Sequence, residues 1–402
     1  MVVALALLLA WWSKARCVFD GGWQGGEQFH GYCYSDLVAL WSARGLADGR
    51  IPYIDQPLEY PPLIGAQMWV TTLLTRAWGG GVVGFYNLNA GLNAAFVVAT
   101  LALLRRLRIP TSRQLWWAGG PPLVFYATLN WDALPVLLLV LAVALHVAGR
   151  DGAAGVAAGL GAAAKLFPAL VVPLVVTARL RQRDRLAAAR HIAGAAVAWA
   201  AMNVPLALVT PEGWSHFFAV SRDRGASGAT IWALADELDL VQLDRAALNR
   251  TSALVFAAGA LAITAIGLRR RAPAATWSLV LPLLAWFLVT NKVFSPQYDL
   301  WLVPLLAVLL PRAGPFAAFV AADVAVFATE FAYLGERAGF EPHLGYGPLG
   351  VAVALRGAVL VWIIVVSLRG ASPGPPALPL GRSAPGVKPH AGLQYGPGQL
   401  HA

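Results

Sequence analysis

Long apolar runs divided by short polar breaks dominate this chain. They cover residues 61–78, 85–104, 115–129, 133–149, 153–178, 191–209, 250–268, 274–290, 300–311, 315–333 and 348–367. A bilayer core takes about 20 apolar residues per helix. The period-two alternation of a membrane β-barrel is absent. The pattern predicts an all-α integral membrane protein with about 10–12 transmembrane helices. Residues 1–12 are apolar but short and have no basic stretch before them, which argues against a signal peptide. A first helix running on through Ser13 to Val18 is the other reading. Two polar stretches, 19–60 and 210–249, interrupt the apolar pattern. The expected organisation is a polytopic domain over 1–368 and a disordered, Pro- and Gly-rich cytoplasmic tail over 369–402.

Charge settles the direction of the predicted helices. Only 12% of the 402 residues are charged, the mean hydropathy is +0.62 and the net charge is +10. A soluble chain carries about 25% charged residues. The positive charge does not point to nucleic acid. Its arginines sit in short turns, at Arg105, Arg106, Arg108 and Arg113, between Arg179 and Arg190, and at Arg269 to Arg271. Short cytoplasmic loops carry such an excess. With those turns inside and the N-terminus inside, 61–78 has no parity left for a full crossing. Its Pro61-Pro62 start and its Thr71, Thr72, Thr75 and Arg76 fit a re-entrant or juxtamembrane helix in the first external loop. The 26-residue run 153–178 must likewise divide into two short helices meeting near Lys165 and Phe167-Pro168. Every polar constellation then falls on one face, outside the cytoplasm. An ionisable residue at membrane depth, such as Lys165, is a functional candidate.

Cys17 lies just before the first polar stretch and Cys33 within it. Outside the cytoplasm they are expected to form a disulfide; free thiols are the alternative. The seven histidines lack metal-ligand spacing, and no Gly-rich phosphate loop opens a helix.

Several stretches resemble a known family. They are Tyr34-Ser35-Asp36, Arg44-Gly45-Leu46, Gly49, Pro52-Tyr53, Glu59-Tyr60-Pro61-Pro62, Asn130-Trp131-Asp132-Ala133, Ala164-Lys165-Leu166-Phe167-Pro168, and Asn291-Lys292 through Gln297-Tyr298. Together they resemble GT-C glycosyltransferases, and more narrowly the family 87 group of actinobacterial enzymes that use polyprenyl-phosphate sugars. The resemblance covers about residues 10–368. It implies a GT-C-like bundle in the cell membrane that works on its external face. The sugar, mannose by first expectation, would pass from a polyprenyl phosphate to a glycolipid or lipoglycan, with inversion. Membrane lipid is the other implied partner, and arabinofuranose is the rival sugar.

The resemblance also implies a base at Asp36; the competing role is to cap the helix that follows. Glu59, Tyr60 and Asp132 are candidates for substrate contact, although Asp132 is placed equally well to cap the helix from Ala133. Lys165, Lys292 and either Arg222 or Arg224 are candidates for the donor phosphate. Snorkelling to the interface is the plainer role for the two lysines, and a charged loop face the plainer role for Arg222. Gln297 and Tyr298 either bind sugar hydroxyls or close a helix. No cofactor is expected, and a divalent ion bridging Asp36, Asp132 and phosphate is not demanded. A transporter or lipid flippase is the rival from another class, since polar residues at helix breaks also mark transport paths.

Overall fold

The structure, a computed structural model, describes residues 1–19, 23, 25–341 and 344–370. The tail expected over 369–402 lies outside the described residues from 371 onward. Among the described residues the fold is helical, with no strand and one isolated bridge between Pro52 and Gln56.

The chain opens with α1 (Val2–Phe19), which continues past residue 12 because its polar residues find partners inside the fold. Lys14 is buried, donates to the Tyr32 carbonyl at 2.5 Å and lies over the Phe327 ring, while Arg16 donates to the Gly31 carbonyl. The first polar stretch contains α2 (Glu27–His30) and α3 (Asp36–Ala43). Cys17 and Cys33 are disulfide-bonded, which ties the end of α1 to the segment entering α3. Next comes α4 (Pro62–Ala77), with proline at its first position, where no backbone donor is needed. Its 16 residues reach about 24 Å, short of a bilayer core of about 30 Å. Arg76 at its far end donates back to the Ala47 carbonyl. Both ends of α4 therefore stay beside the first polar stretch.

The run continues with α5 (Gly81–Arg106), α6 (Thr111–Gly119) and α7 (Pro121–Tyr126). The last two are separated at Gly120-Pro121-Pro122, where proline removes a donor and keeps the preceding residue extended. Then come α8 (Ala133–Val147), α9 (Asp151–Ala164) and α10 (Val171–Arg181). The apolar run 153–178 thus breaks at Lys165, whose backbone is extended, and a 3₁₀ turn at Phe167–Leu170 leads into α10. The next helix, α11 (Arg185–Val209), lies backbone-to-backbone on α9: a Cβ on Gly155 or Gly159 would run into main-chain atoms of His191 or Ala195. The second polar stretch forms α12 (Pro211–Asp223) and α13 (Ile231–Glu237). The remaining helices are α14 (Arg245–Arg270), α15 (Val280–Thr290), α16 (Val303–Leu309), α17 (Gly314–Arg337) and α18 (Gly347–Arg369). Helices α15 and α16 are each entered through a 3₁₀ turn, at Pro273–Leu279 and Pro296–Trp301.

Seven of these rods are long and apolar enough to cross a membrane: α1, α5, α11, α14, the Pro273–Thr290 rod that contains α15, α17 and α18. The apolar helices Ala133–Val147 and Pro296–Leu309 are shorter. Large apolar side chains such as Leu208, Leu254 and Leu261 point outward at 70–78% exposure, as lipid-facing positions do. The protein is a multi-pass membrane protein.

The arginine turns meet one another at one end of the bundle. Arg113 donates to the Leu310 carbonyl. Arg181 donates to the carbonyls of Leu268 and Arg271, and Arg271 to the carbonyl of Ser367. Helix C-termini are favourable places for such cations. The polar stretches meet at the other helix ends. There Thr210 of the second stretch donates to the Tyr53 carbonyl of the first.

Candidate active site

Where the polar stretches meet, the ends of α3, α9, α12, α15 and α17 enclose a cavity of about 740 Å³. Asp36, Glu59, Tyr60, Lys165 and Lys292 line it, as do Gln297 and Tyr298. Two candidates named from the sequence, Asp132 and Arg222, do not.

Asp36 opens α3, but it is Ser35 that caps the helix, accepting from the Leu37 amide at 3.2 Å. The Asp36 carboxylate is left for other partners. Tyr34 donates to Oδ1 at 2.6 Å, and Tyr60 and Asn130 donate to Oδ2 at 3.1 and 2.5 Å. Asn130 also reaches the Tyr60 hydroxyl at 2.7 Å. Burial raises the Asp36 pKa above the ordinary carboxylate range; the bonds from Tyr34 and Tyr60 and the charge of Lys165 oppose that shift. The turn carrying Asn130 is braced from α5. Asn93 donates to the carbonyls of Ala127 and Asn130, both at 2.9 Å, and Asn89 accepts from the Trp131 indole at 2.8 Å.

The model of glycosyltransferase family 87 matches residues 58–296, more than half of the chain. The chain belongs to glycosyltransferase family 87. A solved structure, ArnT from Cupriavidus metallidurans in the apo state, is similar at 18% sequence identity and a TM-score of 0.47, with 91% of this chain and 75% of that chain covered. Among curated proteins no relative matches. This family 87 member is a membrane glycosyltransferase, and the transporter reading is set aside on the family match. The matched range takes in Glu59, Tyr60, Asp132, Lys165, Arg222 and Lys292. Asp36, Gln297 and Tyr298 fall outside it, so their place in the site rests on geometry.

Asp132 precedes α8 without capping it. It is fully buried; its Oδ1 accepts from Lys165 Nζ at 2.7 Å and from the Trp301 indole at 2.6 Å. Asp132 therefore anchors a lysine beneath the cavity instead of facing the substrate space. Lys165 is also surrounded by rings, with Nζ 5.4 Å from the centroid of Tyr298 and 5.6 Å from those of Tyr60 and Trp301. Snorkelling is overturned for this residue, which is 9% exposed and paired.

Glu59 reaches the cavity while held in a bidentate pair with Arg44, at 2.7 and 2.9 Å. Lys292 donates to the carbonyls of Arg222 and Arg224, at 3.0 and 2.6 Å, and so pins the C-terminal end of α12. Arg222 itself points outward, paired with Asp223 at 3.1 Å. Arg224, just past the end of α12 with extended backbone, lines the cavity wall. Tyr298 stacks on Trp301 with centroids 4.0 Å apart.

Sequence reasoning had Asn130 inside a motif but gave it no role, and it passed over Tyr34 and Trp301 as partners. Their signal was adjacency: each lies within four residues of a named candidate. Asn89 and Asn93 carried a plainer signal: with Asn87 they are three amides inside the run 85–104.

Proposed function

We propose that this family 87 enzyme transfers mannose from a polyprenyl phosphate to a glycolipid or lipoglycan acceptor on the external face of the membrane. Asp36 serves as the base in a single inverting displacement. The observation that carries this reading is the Asp36 carboxylate, held by three donors in the wall of a cavity that also receives Lys165 and Arg224. The acceptor hydroxyl gives its proton to Asp36 as its oxygen bonds to the anomeric carbon. The bond from that carbon to the phosphate oxygen breaks, and polyprenyl phosphate leaves. A carboxylate whose pKa is raised by burial is a better base than a surface aspartate. Arg224 is the group for the leaving phosphate, and Lys165 has donors to spare beyond Asp132. Phe217, Leu166 and Phe287 supply apolar wall for a prenyl chain.

The choice of mannose rests on the resemblance of the motifs, and arabinofuranose fits the same chemistry. The test is transfer by purified protein in nanodiscs, from labelled polyprenyl phosphomannose to a membrane glycolipid extract, with polyprenyl phosphoarabinose as the second donor. Asp36→Asn is expected to lower turnover by about 10²–10⁴-fold. Equal turnover in the variant would remove the base assignment. No transfer by the wild type from either donor would remove the reading as a whole.

A further inference from the structure

One carboxyl group in the cavity wall has no part in the reaction described above. Glu330 lies on α17, near the end of a membrane-spanning helix, and is 5% exposed. It lines the cavity, and its Oε2 is buried without a hydrogen-bond partner among the described residues. The other ionisable groups nearby lie off the cavity, and each holds a partner of its own. Asp323, two turns earlier on the same helix, accepts from the Tyr126 hydroxyl at 2.6 Å. Arg356 on α18 is committed to Asp299 at 3.0 Å and to the Ala229 carbonyl at 2.6 Å. A buried polar atom without a partner is unfavourable and uncommon. At the edge of an open cavity it marks a place where a ligand completes the bonding.

The chemistry of the group narrows the ligand. An ionised phosphate offers acceptors only and has nothing to donate to a carboxylate. A prenyl chain offers no polar atom at all. Among the described residues no three metal-ligating side chains converge here or elsewhere. A sugar hydroxyl both donates and accepts, so it satisfies a carboxyl group in either protonation state.

We infer that Glu330 is a sugar-binding residue, which takes a ring hydroxyl of the donor sugar or of the acceptor glycan. This rests on the transferase reading. Phe331 and Leu334 beside it line the same wall and offer only apolar surface, so the carboxyl group sets the orientation of what binds there.

The test is equilibrium binding to wild type, Glu330→Leu and Glu330→Gln in nanodiscs, with three labelled probes. These are sugar-free polyprenyl phosphate, the polyprenyl-phosphate sugar that the wild type transfers, and an alkyl glycoside of that sugar as acceptor mimic. Glu330→Leu is expected to lose about tenfold or more in affinity for one sugar-bearing probe, with polyprenyl phosphate bound as before. Loss with the donor assigns Glu330 to the donor sugar, and loss with the glycoside assigns it to the acceptor. Glu330→Gln, which keeps an acceptor and gains a donor, should restore most of that affinity. Wild-type binding of both sugar probes by Glu330→Leu would overturn the assignment and leave the transferase reading intact. So would equal loss of all three probes, which would mark a packing role. Failure of the wild type to transfer either sugar would overturn the transferase reading, and this assignment with it.

Discussion

At the scale of the residue, the site is a carboxylate whose surroundings pull in two directions. Burial disfavours its charge, while the hydroxyls of Tyr34 and Tyr60 favour it. A base works only when ionised, so kcat/KM should fall as pH drops through the Asp36 pKa. The midpoint of that acid limb should lie above about 4, the value of an unperturbed aspartate. Tyr60→Phe removes a donor from the carboxylate and should move the midpoint to higher pH. A limb that stays in place in this variant would separate Tyr60 from the titrating group. Lys165 stood out in the sequence because it breaks an apolar run, and Asp36 through the resemblance of its motif. Glu330 was not, since one acidic residue near the end of an apolar run looks the same whether it meets headgroups or a cavity. Arg222 and Arg224 could not be told apart as candidates for the phosphate, because a linear reading of the polar stretch does not show where α12 ends and which arginine then lines the cavity. Asp132 was seen, but its pairing with Lys165 spans 33 residues of sequence, and no local spacing announces that.

At the scale of the element, the break at Lys165 depends on the contact between α9 and α11. The sequence of α9 is almost all Ala and Gly, which reads as a plain apolar run and hides how closely its neighbour approaches. Gly159 faces the Ala195 carbonyl with no room for a methyl group. Gly159→Val should therefore push α11 away and destabilise the protein by about 1–3 kcal/mol, measured as thermal unfolding in detergent. The Lys165–Asp132 pair should loosen with it, lowering turnover as well. Unchanged unfolding and turnover would show that α11 is free to shift without cost. Other elements differed from expectation for local reasons. Helix α1 runs longer because Lys14 and Arg16 are absorbed by carbonyls of the polar stretch. The run 115–129 became two helices at its Pro-Pro step. The alternation of apolar runs with polar breaks was enough to show a helical membrane bundle. It could not show 3₁₀ entries such as Pro296–Trp301, which tertiary packing decides.

At the scale of the whole molecule, two kinds of polarity are kept apart. Arginine turns join helix ends on one side, and the cavity with its carboxylates occupies the other. On the positive-inside rule, we propose that the cavity opens outside the cytoplasm. A cysteine introduced at Asp236 should react with a membrane-impermeant maleimide in intact cells. One at Arg185 should react only after permeabilisation. The opposite pattern would invert the bundle and, with it, the side on which sugar is transferred. The native cysteines do not interfere, because they are bonded to each other.

That bond has a further meaning for how the enzyme comes into being. It fastens the end of α1 to the residues just ahead of Asp36. On the proposed topology both thiols lie beyond the cytoplasm, where oxidation is permitted. Insertion into the membrane and completion of the site are then two separate events in the life of the chain. Before oxidation, the segment carrying Asp36 would be held to α1 only by hydrogen bonds such as those from Lys14 and Arg16. On that topology, oxidation beyond the cytoplasm would add a covalent tie beside the site, and an external reductant would remove it.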